Sequence, residues 1–298
     1  MIPTPHLNKI KAALKNPKCE QDWPLLKEAL ELYRKWIEEL EKLSSKGEIR
    51  VIEMVELLNW YKNNFEVSLI MERGSDFIKR QKGQLKLGNS ILEEFFIKLV
   101  HPDILSGLGK LDKIYIGPQT AFMSLSFTPR SFRDLGKKPS INIKTKNQDF
   151  TIGTMIHYKF STNKEFSNEN TTDGSLLLAV LAAECKINLD KTMFQEASGT
   201  ANRFKQGCPM ARYYILNEYL DMIPEDTRLT SIDNVFLLRH VNRLPYGKRD
   251  IVEEVWRQRV DHPIDHKVIW NFVQEIQNFI DVVWYDPEEA LIRGSFNP

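Results

Sequence analysis

Asp149, Glu184 and Lys186 are the residues whose types and spacing could do chemistry together. Glu184-Cys185-Lys186 follows the eight-residue apolar run Leu176–Ala183, which puts it at the end of a buried strand. Side chains alternate along a strand, so Glu184 and Lys186 point to one side and Cys185 into the opposite layer. Asp149 heads the preceding strand. If the two segments pair as a hairpin across the polar stretch Ser161–Gly174, Asp149 comes close to Glu184. Two carboxylates and an amine then converge at one edge of a sheet. Carboxylates at short range repel unless a divalent cation sits between them. Mg2+ suits such a place, because it takes oxygen ligands and keeps several waters. The lysine can stabilise a metal-bound hydroxide or the charge that develops in phosphoryl transfer. A helix over Ser90–Val100, with Ser90 as N-cap and Glu93 as its capping-box partner, offers a further acid at Glu93 or Glu94.

Three other constellations fail. Gly107–Lys110 (GLGK) lacks the earlier glycine and the following Ser/Thr of a P-loop. His262 and His266 have i,i+4 spacing, but Pro263 between them argues against one metal-binding helix. No GxSxG occurs.

The elements that must position these residues follow from periodicity. Trp23–Leu43 carries Leu26, Ala29, Leu30, Tyr33, Trp36, Ile37 and Leu40 at three- and four-residue steps, an amphipathic helix. A second helical pattern follows Ser44–Glu48, with Val51, Met54, Val55, Leu58 and Tyr61 on one face. From residue 114 the pattern changes to short strands, KIYIG, AFMSLSF, SINIKT and DFTIGTMIHYKF, then the buried strand Leu176–Ile187. Asn188–Lys205 reads as a helix, RYYILNEYL and NVFLLRH as two further strands, and Ile264–Trp284 as a long amphipathic helix. Phe95, Phe96, Tyr213, Tyr214, Trp270 and Phe272 fall inside elements and are expected in the core. The division expected is a helical region over 1–88 and an α/β core with its C-terminal helix over 89–298.

Composition bounds the class. The chain has 298 residues, 42% hydrophobic and 27% charged, which excludes a disordered or collagen-like chain. The longest apolar run is too short to cross a bilayer. The start lacks a useful apolar stretch, so no secretory signal is expected. Three cysteines without CxxC spacing make neither a disulfide framework nor a zinc knuckle, and point to a reduced, cytoplasmic setting.

Taken in order, ILEEFF (91–96), MSLSFTP (123–129), QDFTIG (148–153), AVLAAECK (179–186), ASGTANRFK (197–205), IDNVFLLRH (232–240) and WYDPEEALIRG (284–294) resemble the PD-(D/E)XK nucleases. More closely, they resemble subunits of the heterodimeric type II restriction endonucleases of the BbvCI kind, which recognise asymmetric sites of the CCTNAGC class. The resemblance covers roughly residues 90–298. It implies a PD-(D/E)XK restriction-endonuclease-like α/β core, a mixed β-sheet flanked by helices, behind an N-terminal helical region. It also implies Mg2+-dependent hydrolysis of one strand of double-stranded DNA, leaving 5′-phosphate ends, and a second, homologous subunit for the other strand. A homodimer on a palindromic site and a non-catalytic DNA-binding subunit are the alternatives. Asp149 resembles the first metal-binding acid, Glu184 the second and Lys186 the catalytic lysine. The Cys185 carbonyl would be a backbone ligand. Glu94 resembles the helical acid that completes such sites, with Glu93 as its rival and Glu196 as a displaced alternative. Gln148 stands where the pattern has proline, and the 35-position gap between the acids is long.

Charge is placed for DNA. Residues 72–146 hold fourteen Lys+Arg against seven Asp+Glu, although the chain as a whole is only +1. Lys79, Arg80, Lys82 and Lys86 form one cluster. Arg130, Arg133, Lys137, Lys138, Lys144 and Lys146 form another that leads to Asp149. Phosphate contacts are expected from Lys79, Arg80, Lys82, Arg130, Arg133, Lys144 and Arg203. Arg130, Arg133 and Asn202 or Arg203 are the candidates for reading bases.

Overall fold

The computed structural model describes residues 2–80, 85–106, 113–282 and 287–295. Five helices come first: α1 (Pro5–Leu14), α2 (Trp23–Lys42), α3 (Gly47–Lys62), the short α4 (Asp76–Lys79) and α5 (Leu87–Leu99). Then come β1 (Ile114–Phe127), β2 (Ile141–Ser161), β3 (Thr171–Leu189), α6 (Lys191–Gly207), β4 (Arg212–Leu220), β5 (Asn234–Leu237), α7 (Val252–Asp261), α8 (His266–Asp281) and α9 (Pro287–Arg293). The apolar stripes expected of the first helices are buried: Leu26, Ala29, Tyr33, Trp36 and Leu40 of α2, and Val51, Met54, Val55, Leu58 and Tyr61 of α3. Beyond Lys62, α3 runs on as a π-helix, Asn63–Met71, where the sequence pattern continued without a break.

The sheet is mixed, in the order β1-β2-β3-β4-β5. β1, β2 and β3 form an antiparallel meander, and β4 and β5 are added in parallel. KIYIG and AFMSLSF are one strand rather than two, and so are SINIKT and DFTIG. Pro118 gives no amide to the ladder, and the strand continues past it because β2 contributes an extra residue there. The polar hairpin loop is shorter than expected, since Ser161 already pairs with Thr171.

Helices cover both faces. One core joins α1, α2, α3, α5 and α8 to Phe150, Leu181, Ala183, Cys185, Tyr214 and Leu216 of the sheet. The other packs Phe194, Ala197, Ala201 and Phe204 of α6 against Ala182, Tyr213 and Ile215. Of the aromatics expected inside, Phe95, Phe96, Tyr213, Tyr214 and Phe272 are buried, and Trp270 packs against the first core.

A buried ionic network ties the leading helices to the sheet. The Lys62 ammonium meets Glu66 at 2.8 Å and Glu218 of β4 at 2.6 Å. Arg239 holds Glu218 at 3.0 Å, and Arg259 of α7 holds Glu66. Lys62, Glu218 and Arg239 are fully buried, so each charge depends on its partners for the solvation water would give.

Candidate active site

The β2–β3 ladder ends at Phe150 opposite Ala183, and the next position on each strand is Asp149 and Glu184. β2 is bulged here: Thr151 pairs with Gly117 and Gln148 with Gln119, so two residues, Asp149 and Phe150, face Pro118 alone. The bulge interrupts the alternation of side chains. Phe150 enters the core under α5 and α8, whereas Gln148 meets Tyr213, a residue of the α6 core. Asp149 is left inside β2, just past the point where pairing with β3 ends. Bulges re-aim side chains in this way next to functional sites.

The expected convergence is present. The Cys185 amide donates to Asp149 Oδ2 at 3.0 Å. Lys186 Nζ lies 2.8 Å from Glu184 Oε2, and the two share a side, while the Cys185 thiol is buried in the opposite layer. Two groups beyond the expected trio hold Glu184. The Tyr213 hydroxyl donates to Glu184 Oε1 at 2.6 Å and reaches Gln148 Oε1 at 3.3 Å. Lys146, three residues before Asp149, lies 3.6 Å from Glu184 Oε1 and donates to Thr200 Oγ1 of α6.

Of the two adjacent acids on α5, the one expected first is not turned to the cluster. Glu93 feels the cluster electrostatically: burial, and then the Asp149 charge, push its carboxyl up to about 7 against Lys86, Lys9 and Lys186. Glu94 is turned away. Its carboxylate accepts from the Tyr33 hydroxyl at 2.5 Å and from the backbone of His6 at 2.9 Å. Successive helix residues lie about 100° apart, so α5 can aim only one of the two at the site. Glu94, the acid expected first, is thus held by α1 and α2 away from the cluster, and its rival Glu93 is the α5 acid coupled to Asp149. Glu196 is exposed on α6 and makes no side-chain contact with the cluster among the described residues. The capping box is corrected. α5 starts at Leu87, and Ser90 lies inside it, bonded to the Leu87 carbonyl and the His6 ring.

The electrostatics separate the carboxyls. Burial lifts Asp149 above its ordinary range, more than Lys186 and the Cys185 amide draw it down. Glu184 is also raised by burial, but Lys186, Tyr213 and Lys146 overcome this and hold it below the carboxylate range. Lys186 stays charged, because Glu184 outweighs its burial.

Glu93, Asp149 and Glu184 with the Cys185 carbonyl would offer oxygen donors only, the chemistry that a hard divalent cation takes. Burial raises both Glu93 and Asp149, the Asp149 charge adding to it at Glu93 and the Glu184 charge at Asp149, which is the repulsion such a cation would relieve. Among the described residues, no three His, Cys, Asp or Glu side chains are closed to ligand spacing, and Lys186 occupies the Glu184 carboxylate.

The basic residues fall into separate places. Lys144 and Lys146, two apart on β2, share the face toward α6, and Arg203 lies one turn beyond Thr200 on that helix. Arg130 and Arg133 are exposed in the β1–β2 connection. Lys79 and Arg80 lie instead around α4, on a cleft of about 440 Å³ shared with Glu66, Arg249 and Arg259. Lys82 and Gly107–Lys110 lie outside the described residues. His262 ends α7 and His266 opens α8, as the proline between them required.

Sequence reasoning missed Tyr213 as a partner of Glu184, having placed it only in the core. Nothing in the sequence marks it, because strand β4 alternates between cores whether or not its hydroxyl finds a carboxylate. Lys9 was also missed, lying 84 residues before Glu93.

The family profile described as Bpu10I restriction endonuclease matches residues 84–296. A solved structure titled "native BbvCI A2B2 tetramer at low resolution" is similar in fold, with a TM-score of 0.68 at 17% identity, over 94% of this chain and 97% of that chain. No curated protein matches.

Proposed function

Because the chain belongs to the Bpu10I restriction endonuclease family, we propose that it is the type II endonuclease subunit that cuts one strand of double-stranded DNA. The substrate is a short asymmetric site of the CCTNAGC kind, and the metal is Mg2+. The observation that carries the reading is the meeting of Asp149, Glu184 and Lys186 where the β2–β3 ladder ends, with Glu93 near enough to feel the Asp149 charge.

Glu93, Asp149, Glu184 and the Cys185 carbonyl would hold the metal. When bound, it supplies a Lewis acid for the phosphate oxygen and water of lowered pKa. Lys186 sits on Glu184 at 2.8 Å, so it can turn from that carboxylate to the attacking water or to the charge growing on the phosphate. Attack in line at phosphorus forms one P–O bond and breaks the bond to the 3′ oxygen, which leaves 5′-phosphate and 3′-hydroxyl ends. Tyr213 and Lys146 fix the other Glu184 oxygen. Lys144 and Arg203, with Arg130 and Arg133, face the DNA backbone. One such centre serves one strand. The similar structure titled an A2B2 tetramer supports a second, homologous subunit for the other strand. Among the described residues no helix is long and apolar enough to cross a membrane, and the reading places the enzyme in the cytoplasm with the DNA.

The test is cleavage of supercoiled plasmid with Mg2+ by this chain and by Lys186→Ala, alone and with the neighbouring open reading frame co-expressed. Site-specific cutting of both strands that falls to nicking of one defined strand in the variant supports the reading. Cutting unchanged by the substitution would remove Glu184-Cys185-Lys186 from the chemistry. A lone chain that forms a two-fold dimer and cuts both strands would replace the heteromer by a homodimer.

A further inference from the structure

Glu94 leaves the active centre to Glu93, yet its carboxylate is fully engaged. Oε2 accepts the backbone N–H groups of His6 at 2.9 Å and Leu7 at 3.3 Å, and Oε1 accepts the Tyr33 hydroxyl at 2.5 Å. His6 and Leu7 are the second and third residues of α1. The first amides of a helix have no partner within it, and Thr4 at the N-cap position offers none. Glu94 therefore caps α1 from another helix, 88 positions away in sequence from His6. A carboxylate there also meets the positive end of the helix dipole.

The His6 ring makes a second fastening. Its Nδ1 pairs with Ser90 Oγ at 2.9 Å and its Nε2 with the Tyr61 hydroxyl at 2.7 Å. Ser90 and Glu94 are one turn apart on α5, so α1 grips that helix at two points on one face. Glu93 lies about 100° round from Glu94. The grip thus fixes which of two adjacent acids faces Asp149. Lys9, on the next turn of α1, is near enough to favour the charged form of Glu93.

We propose that Glu94 is a positioning residue for the nuclease centre: by capping α1 it sets the rotation of α5 that presents Glu93 to Asp149. Residues 1–83 lie outside the family match, and by this route they take part in the active centre. The inference rests on the reading of Glu93 as a metal-holding acid.

The experiment compares Glu94→Gln and Glu94→Leu with the unaltered chain in the assembled enzyme. Three quantities are read: hydrogen exchange at the His6 and Leu7 amides, Mg2+ binding by calorimetry, and DNA binding without metal. Glu94→Leu should lose protection at both amides and weaken Mg2+ binding roughly tenfold, the scale for groups that orient metal ligands. Its metal-free DNA binding should not change. Glu94→Gln keeps an acceptor oxygen and should fall between. Lost amide protection with unchanged Mg2+ binding would overturn the proposal and leave Glu94 a structural cap. Should the leucine variant not fold, the glutamine variant decides, because unchanged Mg2+ binding there with weakened protection overturns it equally. Glu93→Gln separates the two readings: Mg2+ binding unaffected by that change refutes Glu93 as a metal-holding acid and not the cap.

Discussion

The metal-free protein should lose stability as pH rises from about 4.5 to about 7, and Glu93 sets the size of the loss. Its carboxyl ordinarily titrates at 4.5 and is pushed up to about 7 in the fold. The folded chain therefore holds a proton that the unfolded chain has released, and stability falls with rising pH between those two values. At about 1.4 kcal/mol per pH unit, the gap comes to about 3 kcal/mol. Asp149 is raised as well and adds in the same direction, whereas Glu184 is lowered and opposes it. Comparison with Glu93→Gln isolates the one group. The variant and the unaltered chain should come within about 1 kcal/mol of each other at pH 5, where Glu93 of the folded chain is protonated and resembles the amide. At pH 8 in chelator the variant should be more stable by about 3 kcal/mol, or roughly 5–10 °C in Tm. Added Mg2+ should return stability to the unaltered chain and much less to the variant. The assay is denaturant unfolding followed by tryptophan fluorescence across pH 5–8. Parallel curves for the two proteins would refute the reasoning, since Glu93 would then not be a carboxylate strained by burial and Asp149.

Within the buried network, Glu218→Gln should destabilise by about 3–5 kcal/mol, because it leaves Arg239 unpaired in the interior. Lys62→Met should cost about 1–3 kcal/mol, because Glu66 and Glu218 keep Arg259 and Arg239; equal losses in thermal melts would contradict this. Tyr213→Phe removes the hydrogen bond to Glu184 Oε1 but keeps the ring against Phe204, so Mg2+ affinity should drop about tenfold with a stability change of about 1 kcal/mol. Lys144→Ala and Arg203→Ala should each weaken DNA binding alike on cognate and random sequence and lower the salt slope by about one, measured by fluorescence anisotropy.

Much of the site was legible because strand pairing follows simple rules. The polar stretch after Phe160 signalled a hairpin, and the hairpin set Asp149 beside Glu184. Alternation then put Lys186 with Glu184 and the Cys185 thiol in the other layer. The choice between Glu93 and Glu94 was not legible. Both lie on the apolar helix α5 among buried neighbours, and what separates them is α1, whose docking depends on contacts from 84 to 88 positions away. The bulge at Asp149 was hidden for a similar reason, since Pro118 and the extra residue of β2 must be seen side by side. Ser90 followed by Glu93 spelled a capping box, but tertiary packing carried the helix one turn further back and claimed the serine for His6.

The Lys62–Glu66–Glu218–Arg239–Arg259 network also carries a consequence for timing. Arg259, which donates to the Lys62 backbone carbonyl and holds Glu66, lies 197 positions after Lys62. At the usual pace of translation that interval is about 10–40 s, during which the leading helices have left the ribosome while their ionic partners have not yet been made. Until β4, β5 and α7 arrive, a lysine destined for the interior has every reason to stay in water. The helices that fasten α5 can thus seat fully only near the end of synthesis. The proposed nuclease centre, fastened through those helices, would then be completed as one of the last events of becoming a protein.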